Sequence, residues 1–275
     1  MHTIGIESVA EYHESSKLFH GSLKNIMGTR LDALIINKGR WESQEIWNDI
    51  VFELRRLDRI FNRFDEKSEV SFINRSASDG AVLLSNEMWS VLQSCKDYNS
   101  RTLGLFDVTL HDFNAILLNN ETQTVTFSKD DISLDFGGYA KGYALGKIKE
   151  IMHQAEVKQS YVDFGNSSIM AIGHHPYGDS WKVSVENPYQ PDVVLDILSI
   201  CDQAISISGN TLGYTGHIVC PVTGEALIER KMVSIISDNP LDAEVLSTVF
   251  MIADLDEKEQ IKRVFNVQII AEYKL

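Results

Sequence analysis

Residues 160–172, with the sequence SYVDFGNSSIMAI, contain two short strand-like runs, Ser160–Phe164 and Ile169–Ile172. Similar runs follow one another along the chain, and they do not alternate regularly with helices as the strands of a parallel sheet do. The sequence therefore predicts an α+β fold, with largely antiparallel sheets flanked by helices. The other predicted strands are Leu31–Asn37, Thr124–Phe127, Ile132–Phe136, Trp181–Val185, Val193–Ile200, Ala204–Ile207, His217–Val219, Lys231–Ser237 and Val267–Ala271.

Helical periodicity is clearest from Ser43 to Phe64, where apolar residues recur every three or four positions. Ser43 is the expected N-cap of this helix, because its hydroxyl can accept a hydrogen bond from a free backbone N–H group. The other predicted helices are Asn86–Asn99, Tyr139–Gln154, Leu241–Ile252 and Glu257–Val264. No repeat or linker-like segment divides the sequence, so we expect a single domain over residues 1–275.

The chain of 275 residues is acidic, with 25 Lys and Arg against 39 Asp and Glu and a net charge of -14. This balance argues against a nucleic-acid-binding protein that neutralises phosphates, although helix N-termini can still hold a small anionic ligand. Cys95, Cys201 and Cys220 show no CxxC spacing, which argues against a disulfide framework and against a structural zinc site. We find neither a signal peptide nor a transmembrane stretch, and the expected location is the cytoplasm, with a removed leader as the alternative.

The most unusual stretch is Ile132–Gly142, ISLDFGGYAKG, in which a strand-like run ends at Asp135 and two glycines lead into a helix. Glycines allow a ligand to approach the backbone, and the first N–H groups of a helix are free to bind phosphate. Lys141 adds a positive charge at the same place. A tight turn with a solvated lysine is an equally good interpretation of the spacing alone. The standard nucleotide-binding glycine motifs are absent.

Two further stretches place polar side chains beside apolar ones. Gly104–Thr109, GLFDVT, sets the Asp107 carboxylate and a hydroxyl next to an aromatic ring, which suits a sugar hydroxyl and a stacked ring. A capped turn over a core phenylalanine is the simpler interpretation of this stretch.

The stretch Gly216–Gly224, GHIVCPVTG, contains His217. This histidine can act as a general base near neutral pH, although a lone histidine is more often a structural hydrogen-bond donor.

Ala243–Thr248, AEVLST, lies on a predicted helix. Glu244 and Thr248 are four residues apart, so their oxygen atoms share one helix face. One carboxylate and one hydroxyl can help to hold Mg²⁺, which prefers hard oxygen ligands and retains several waters. Taken alone, the pair is more simply a solvated glutamate and a threonine bonded back to its own helix.

In this order, the stretches resemble the ApbE family, the FAD:protein FMN transferases. The resemblance starts at Met27-Gly28-Thr29, covers about residues 25–253, and implies the T-fold-like architecture of that family. No single motif carries it, but the ordered set is specific. The matching segments are LDRIFNRFDEKSEVSFIN (57–74), GLFDVT (104–109), LDFGGYAKGYA (134–144), SYVDFGNSSIMAIG (160–173), ISISGN (205–210), GHIVCPVTG (216–224) and AEVLST (243–248).

The resemblance implies a chemistry in which FAD is cleaved at its pyrophosphate in a Mg²⁺-dependent step. FMN is then esterified to a Thr or Ser of an acceptor protein, and AMP leaves. His217 is the candidate base for the acceptor hydroxyl, and the metal ligands implied by the match are the Gly138 carbonyl, Glu244 and Thr248. The residues implied to line the FAD site are Met27, Phe64, Leu105, Phe106, Asp107, Asp135, Lys141 and Ile218.

Several positions depart from the family pattern. Glu244 stands where the family has Asp, and Cys220 and Val222 stand where it has Asp and Arg. Glutamate places its carboxylate one methylene further from the backbone than aspartate does. Because Mg²⁺ requires near-octahedral geometry, either the helix shifts to compensate or metal binding is weaker. Two alternatives are therefore open: a flavin-binding protein with weak or no catalysis, and a Mg²⁺-dependent FAD pyrophosphatase that gives FMN and AMP.

Overall fold

The computed structural model describes residues 5–265, 267 and 269–275. In chain order the elements are β1 (Glu7–His13), β2 (Leu18–Ile26), β3 (Thr29–Ile36), α1 (Arg40–Phe61), α2 (Glu69–Ser76), β4 (Val82–Leu83), α3 (Asn86–Arg101), a 3-10 helix (Phe113–Ala115), β5 (Ile116–Asn119), β6 (Thr124–Phe127), α4 (Ala140–Gln154), β7 (Ser160–Phe164), β8 (Ser168–Ile172), β9 (Trp181–Asn187), β10 (Gln190–Ile200), β11 (Ala204–Gly209), β12 (Lys231–Ser237), α5 (Pro240–Ile252), α6 (Leu255–Lys262) and β13 (Ile269–Lys274).

The central feature is an eight-stranded sheet in the order β1-β2-β3-β7-β8-β11-β12-β13. Every neighbouring pair in it is antiparallel. The hairpin β9–β10 and the three strands β4-β6-β5 form two smaller antiparallel sheets. The predicted α+β fold with largely antiparallel sheets is confirmed.

Both faces of the large sheet are covered, as the alternation along β8 shows. Met170 and Ile172 belong to a core shared with the helices, whereas Ile169 and Ala171 belong to a second core under the β9–β10 hairpin. Successive side chains of a strand point to opposite faces, so the helices and the hairpin lie on opposite sides of the sheet. On the first side, α4 packs against both α1 and α5, and all three helices contact strands of the sheet.

Helix α1 is anchored to the sheet by Trp47, whose side chain is 1% exposed. Its ring lies directly on Gly21 of β2, where an added Cβ atom would be 2.6 Å from Trp47 Cδ2. The indole Nε1–H donates to Ser8 Oγ at 3.0 Å, so the buried ring leaves no polar group unpaired. Packing therefore requires glycine at position 21.

We expect Gly21→Ala to lower the free energy of unfolding by about 1–3 kcal/mol, because the added methyl group overpacks the site against Trp47. Gly146→Ala in α4 is the matched control, since no atom lies within 4 Å of a Cβ built there. Alanine is favoured over glycine inside a helix by about 1 kcal/mol, so this variant should be more stable than the wild type. Urea unfolding followed by circular dichroism measures both, and shifts of the same sign would contradict the packing argument.

The segment Ile132–Phe136 is not the predicted strand. The side-chain amide of Asn74 takes the place of a neighbouring strand, because the Leu134 N–H donates to Asn74 Oδ1 at 2.7 Å and Asn74 Nδ2 donates to the Leu134 carbonyl at 3.0 Å. The Asp135 N–H donates to the Val108 carbonyl at 2.7 Å. Backbone groups that a sheet would normally pair are thus satisfied by one side chain and one loop.

The expected N-cap of α1 is also wrong. The helix begins at Arg40 after the N-cap Gly39, and the Ser43 N–H already donates to the Gly39 carbonyl at 2.9 Å. Ser43 is therefore a buried residue of the first turn rather than the cap. The helix ends at Phe61, three residues before the predicted end, which leaves Phe64 in a loop.

Other differences concern a predicted strand that is absent, the bounds of the last strand and several elements that the sequence did not predict. The predicted strand His217–Val219 forms only an isolated bridge, between Val219 and Ala226. The last strand is β13 rather than Val267–Ala271, and residue 268 of that prediction lies outside the described residues. Strands β1, β2, β4 and β5, helix α2 and the 3-10 helix had no predicted counterpart. The remaining predicted strands and helices are present, with ends that differ by a few residues.

Candidate functional site

A cleft of about 1110 Å³ opens at one end of the eight-stranded sheet. The turns β2–β3 and β7–β8 border it, together with the end of β11, the start of β12 and the loop between these two strands. We call it the sheet-end cleft. All twelve site residues predicted from the sequence line it: Met27, Phe64, Leu105, Phe106, Asp107, Asp135, Gly138, Lys141, His217, Ile218, Glu244 and Thr248.

Met27 lies at the tip of the β2–β3 hairpin, in a two-residue turn with Gly28. Both residues have positive φ angles, 47° for Met27 and 75° for Gly28. Such turns favour Asn, Asp or Gly at the first position, so methionine there is unusual. The Met27 N–H donates to Asp58 Oδ1 at 3.1 Å, which ties the turn to α1. Burial raises the pKa of Asp58, although its hydrogen bonds from Asn62 and Met27 oppose that shift.

Asp107 both lines the cleft and caps its own turn. Its Oδ1 accepts hydrogen bonds from the Thr109 N–H at 2.7 Å and from Thr109 Oγ1 at 2.8 Å. Burial raises the pKa of Asp107, and the hydrogen bonds from Thr109 act in the opposite direction. The neighbouring side chains of Leu105 and Phe106 are buried, so the turn is fixed on an apolar base. The capped turn and the cleft-lining position are therefore both observed.

The glycines of the GGYAKG stretch permit a close approach of α4 to α5. A Cβ atom at Gly142 would be 2.5 Å from Glu244 Cβ and 2.9 Å from the Pro240 carbonyl oxygen. At Gly138, a Cβ atom would be 3.4 Å from Thr248 Oγ1. This contact brings the start of α4, with Lys141, against the face of α5 that carries Glu244.

Lys141 and Glu244 form an ion pair at the base of the cleft, with Lys141 Nζ 3.1 Å from Glu244 Oε1. The ammonium group also donates to Ser167 Oγ at 2.6 Å and to Ser168 Oγ at 2.7 Å. Glu244, which is only 4% exposed, accepts at Oε2 from Ser168 Oγ at 2.5 Å and from Ser206 Oγ at 2.9 Å. The ammonium group thus has two hydroxyl acceptors and one carboxylate as neighbours, and the buried carboxylate is paired as a buried charge must be.

The oxygen atoms around Thr248 suit a magnesium ion by type. Thr248 Oγ1 is 3.3 Å from Ser208 Oγ, and Glu244, four residues earlier, lies on the same helix face. A carboxylate, a hydroxyl and a backbone carbonyl are hard ligands of the kind that Mg²⁺ takes together with waters. Among the described residues, no cluster of three or more His, Cys, Asp or Glu offers a metal site. The donor set fits Mg²⁺, but its one carboxylate is engaged by Lys141.

His217 lies on the loop between β11 and β12, which Asn210 stabilises. The buried Asn210 side chain donates to the carbonyls of Leu227 at 2.8 Å and Glu229 at 3.0 Å. The His217 ring stacks on the ring of Tyr214, with 4.1 Å between centroids. Burial lowers the pKa of His217, a hydrogen bond with the Tyr214 backbone opposes this, and the charge of Lys141 lowers it further. A neutral imidazole at neutral pH is suited to accept a proton.

Phe64 is 84% exposed and lies at the edge of the cleft. Asp135 has both carboxylate oxygens engaged, Oδ1 by the Gly137 N–H at 2.8 Å and Oδ2 by Arg63 Nη1 at 2.6 Å. Arg63 also lines the cleft and was not among the residues predicted from the sequence.

The serine cluster around Glu244 was missed as well: Ser167, Ser168, Ser206, Ser208 and Ser247. One signal for it was present, because Ser206 and Ser208 are two residues apart in a strand-like run and therefore share one face.

A sequence model described as the ApbE family matches residues 27–117 and 110–270. The chain belongs to the ApbE family. The FAD:protein FMN transferase of Chlamydia pneumoniae is 26% identical to this ApbE family member over 239 residues, which cover 72% of this chain and 73% of the relative. The FAD:protein FMN transferase of Treponema pallidum (strain Nichols) is 27% identical over 267 residues, which cover 77% of this chain and 72% of the relative.

Solved structures show the same fold. The flavin transferase ApbE from Vibrio cholerae superimposes with a TM-score of 0.78 at 18% identity, covering 98% of this ApbE family member and 97% of that chain. The ApbE protein from Thermotoga maritima gives a TM-score of 0.75 at 21% identity, covering 93% and 90%. In the described part of the chain, every helix is too short or too polar to cross a membrane.

Proposed function

We propose that this protein is an FAD:protein FMN transferase that needs Mg²⁺ and modifies a Thr or Ser hydroxyl. The observation that carries this proposal is the sheet-end cleft, which gathers all twelve residues that the family resemblance implies. Relatives from Chlamydia and Treponema bear this activity in their names. The cleft volume of about 1110 Å³ is large enough for a dinucleotide, since sites for drug-sized ligands span about 300–1,000 Å³.

The cleft offers FAD apolar walls and a cationic base. Met27, Phe64 and Ile218 supply surfaces for the planar rings. Lys141 lies in the first turn of α4, where the free N–H groups and the positive end of the helix dipole favour phosphate. The pyrophosphate can therefore draw the Lys141 ammonium group from Glu244, since both partners of that pair border the same cleft.

Glu244, Thr248 and the carbonyl of Gly138 are the residues that would hold Mg²⁺ in this proposal. When bound, the ion neutralises negative charge on the pyrophosphate. The exchange of Lys141 from Glu244 to the phosphate frees the one carboxylate of this set for a cation. With Lys141 moved to the phosphate, glutamate in place of the family's aspartate at position 244 is compatible with metal binding and with an active enzyme.

His217 acts as the base in the transfer step. Its neutral imidazole takes the proton of the acceptor hydroxyl, and the hydroxyl oxygen attacks the phosphorus of the FMN half of FAD. A new P–O bond to the acceptor forms, the pyrophosphate P–O bond breaks, and AMP leaves with the electron pair. The lowered pKa of His217 keeps the ring unprotonated at neutral pH.

The test mixes the purified chain with FAD, with and without Mg²⁺, in the presence and absence of a Thr-containing acceptor peptide. AMP and FMN are quantified by chromatography, and peptide mass is measured. Mg²⁺-dependent AMP together with FMN on the peptide supports the transferase. Free FMN without peptide ester in every sample would identify a pyrophosphatase instead and overturn the proposal.

One observation favours a second function, a flavin-binding protein without catalysis. Lys141 forms an ion pair with Glu244 and so occupies the carboxylate that a metal ion would need as a ligand. If this pair persisted with FAD bound, the protein would bind FAD intact and release no AMP at any Mg²⁺ concentration. The same experiment distinguishes this case, because intact FAD would then co-elute with the protein.

A further inference from the structure

Arg63 lies in the sheet-end cleft between two residues of the proposed FAD site. Its guanidinium carbon is 5.0 Å from the centre of the Phe64 ring, and its Nη1 is 2.6 Å from Asp135 Oδ2. All three side chains border the same cleft. Arg63 thus connects an exposed aromatic ring to a partly buried carboxylate.

Hydrogen bonds fix the position of Asp135, the carboxylate that pairs with Arg63. Asp135 Oδ1 accepts from the Gly137 N–H at 2.8 Å, and the Asp135 N–H donates to the Val108 carbonyl at 2.7 Å. The Asp135 side chain is 21% exposed, against 44% for Arg63. Asp135 therefore has little capacity left for a ligand hydroxyl, and its main partner on the cleft side is Arg63.

The Phe64 side chain makes few packing contacts that would fix its orientation. Phe64 follows α1 in a loop, and its N–H donates to Asn62 Oδ1 at 3.0 Å. Its ring is so exposed that packing does not fix its rotamer. The guanidinium over one face attracts the ring electrostatically and leaves the opposite face for a planar ligand. A ring that is already ordered loses less conformational entropy when it stacks.

We propose that Arg63, anchored by Asp135, is a positioning residue that holds the Phe64 ring ready to stack on an aromatic ring of the ligand. This inference rests on the proposed function, in which the ligand is FAD with its planar isoalloxazine and adenine rings. It assigns to Asp135 an indirect role, through Arg63, in place of direct contact with FAD.

The experiment is a double-mutant cycle on the full chain, with the Kd for FAD measured by quenching of flavin fluorescence. We expect Arg63→Gln to raise Kd by about 2- to 10-fold, the cost of ordering one side chain. In the Phe64→Ala background, Arg63→Gln should cause no further change. Arg63→Lys retains the charge for Asp135 but loses the planar stack, so its Kd should be intermediate.

Arg59→Gln is the matched control, because Arg59 is an exposed arginine of α1 whose Nε donates to the Arg55 carbonyl of its own helix. Its Kd should equal that of the wild type. In turnover assays, Arg63→Gln should raise KM and leave kcat within about 2-fold, as expected when binding alone is weakened.

An unchanged Kd for Arg63→Gln would overturn the inference. An equal fold-change with and without Phe64 would overturn it too, because Arg63 would then contact the ligand directly. Both outcomes leave the proposed function intact, whereas a wild-type protein that does not bind FAD would refute the proposed function itself.

Discussion

The Lys141→Met variant is expected to lose about 3 kcal/mol of its free energy of unfolding, because it leaves a buried carboxylate without a counter-charge. Among the described residues, the Glu244 carboxylate would retain the hydroxyls of Ser168 and Ser206 as hydrogen-bond donors. Methionine keeps the unbranched shape and most of the length of the lysine side chain, so the loss is chiefly one of charge. Urea unfolding at pH 7 measures the effect.

The same variant should lose FAD turnover, because Lys141 is the cationic side chain proposed to hold the pyrophosphate. The proportion of AMP released from FAD, assayed at a temperature where circular dichroism shows the variant folded, separates this loss from instability. A variant that turns over FAD at the wild-type rate would refute the phosphate role of Lys141.

Two controls isolate the ion pair. Lys147→Met removes a lysine of the same helix that pairs with the exposed Glu150, and surface pairs of this kind contribute about 0–1 kcal/mol. The double variant Lys141→Met/Glu244→Gln removes both charges and should recover most of the lost stability but none of the turnover. An unfolding midpoint of Lys141→Met equal to that of Lys147→Met would mean that the pair does not stabilise the fold.

The fold class could be predicted from sequence because most strands of the large sheet carry their own local signal, even though β1 and β2 were missed. In β8, residues alternate between two apolar cores, and the apolar run SIMAI reports this burial on both faces. The stretch Ile132–Phe136 carries the same signal without being a strand, because the partner of its backbone is the Asn74 side chain, 60 residues away. No local pattern contains such a contact.

The segment 57–74 shows how far motif residues can be interpreted without a structure. Ser68 and Glu69 belong to the stretch that resembles the family, and the structure gives both of them structural partners. Ser68 caps α2, and Glu69 accepts from the N–H and the hydroxyl of Ser85, the N-cap of α3, both at 2.8 Å. Asn74 holds the backbone at Leu134. These residues shape the cleft from outside it.

The residues that sequence reasoning missed in the cleft share a physical reason. Arg63 lies in the loop that follows α1. The sequence predicted that α1 ends at Phe64, three residues beyond its observed end, so Arg63 was assigned to the helix. Ser167 and Ser168 lie at the turn before β8 and at its start, and they meet Lys141 of α4 only in the folded chain. Such contacts join segments that are distant in sequence, so spacing along one helix or strand does not reveal them.

The His217→Gln variant is expected to lower kcat for flavin transfer by about 10²- to 10⁴-fold, the usual contribution of a general base. FAD binding should change little, because the imidazole acts on the acceptor hydroxyl rather than on the flavin. Single-turnover measurement of AMP release with saturating FAD and acceptor peptide gives the rate. His153→Gln, which changes an exposed histidine of α4, should retain wild-type kcat.

The pH profile tests the same assignment independently. Burial lowers the pKa of His217 below the ordinary value of about 6.5, so the neutral, proton-accepting form persists to lower pH. The wild-type rate should therefore be constant above about pH 7 and should fall only as the pH drops through the lowered pKa. This acid limb should be absent from the residual rate of His217→Gln. If the limb persists there unchanged, another group is the base, and an acid limb centred above 6.5 would contradict the burial that the structure assigns to the imidazole.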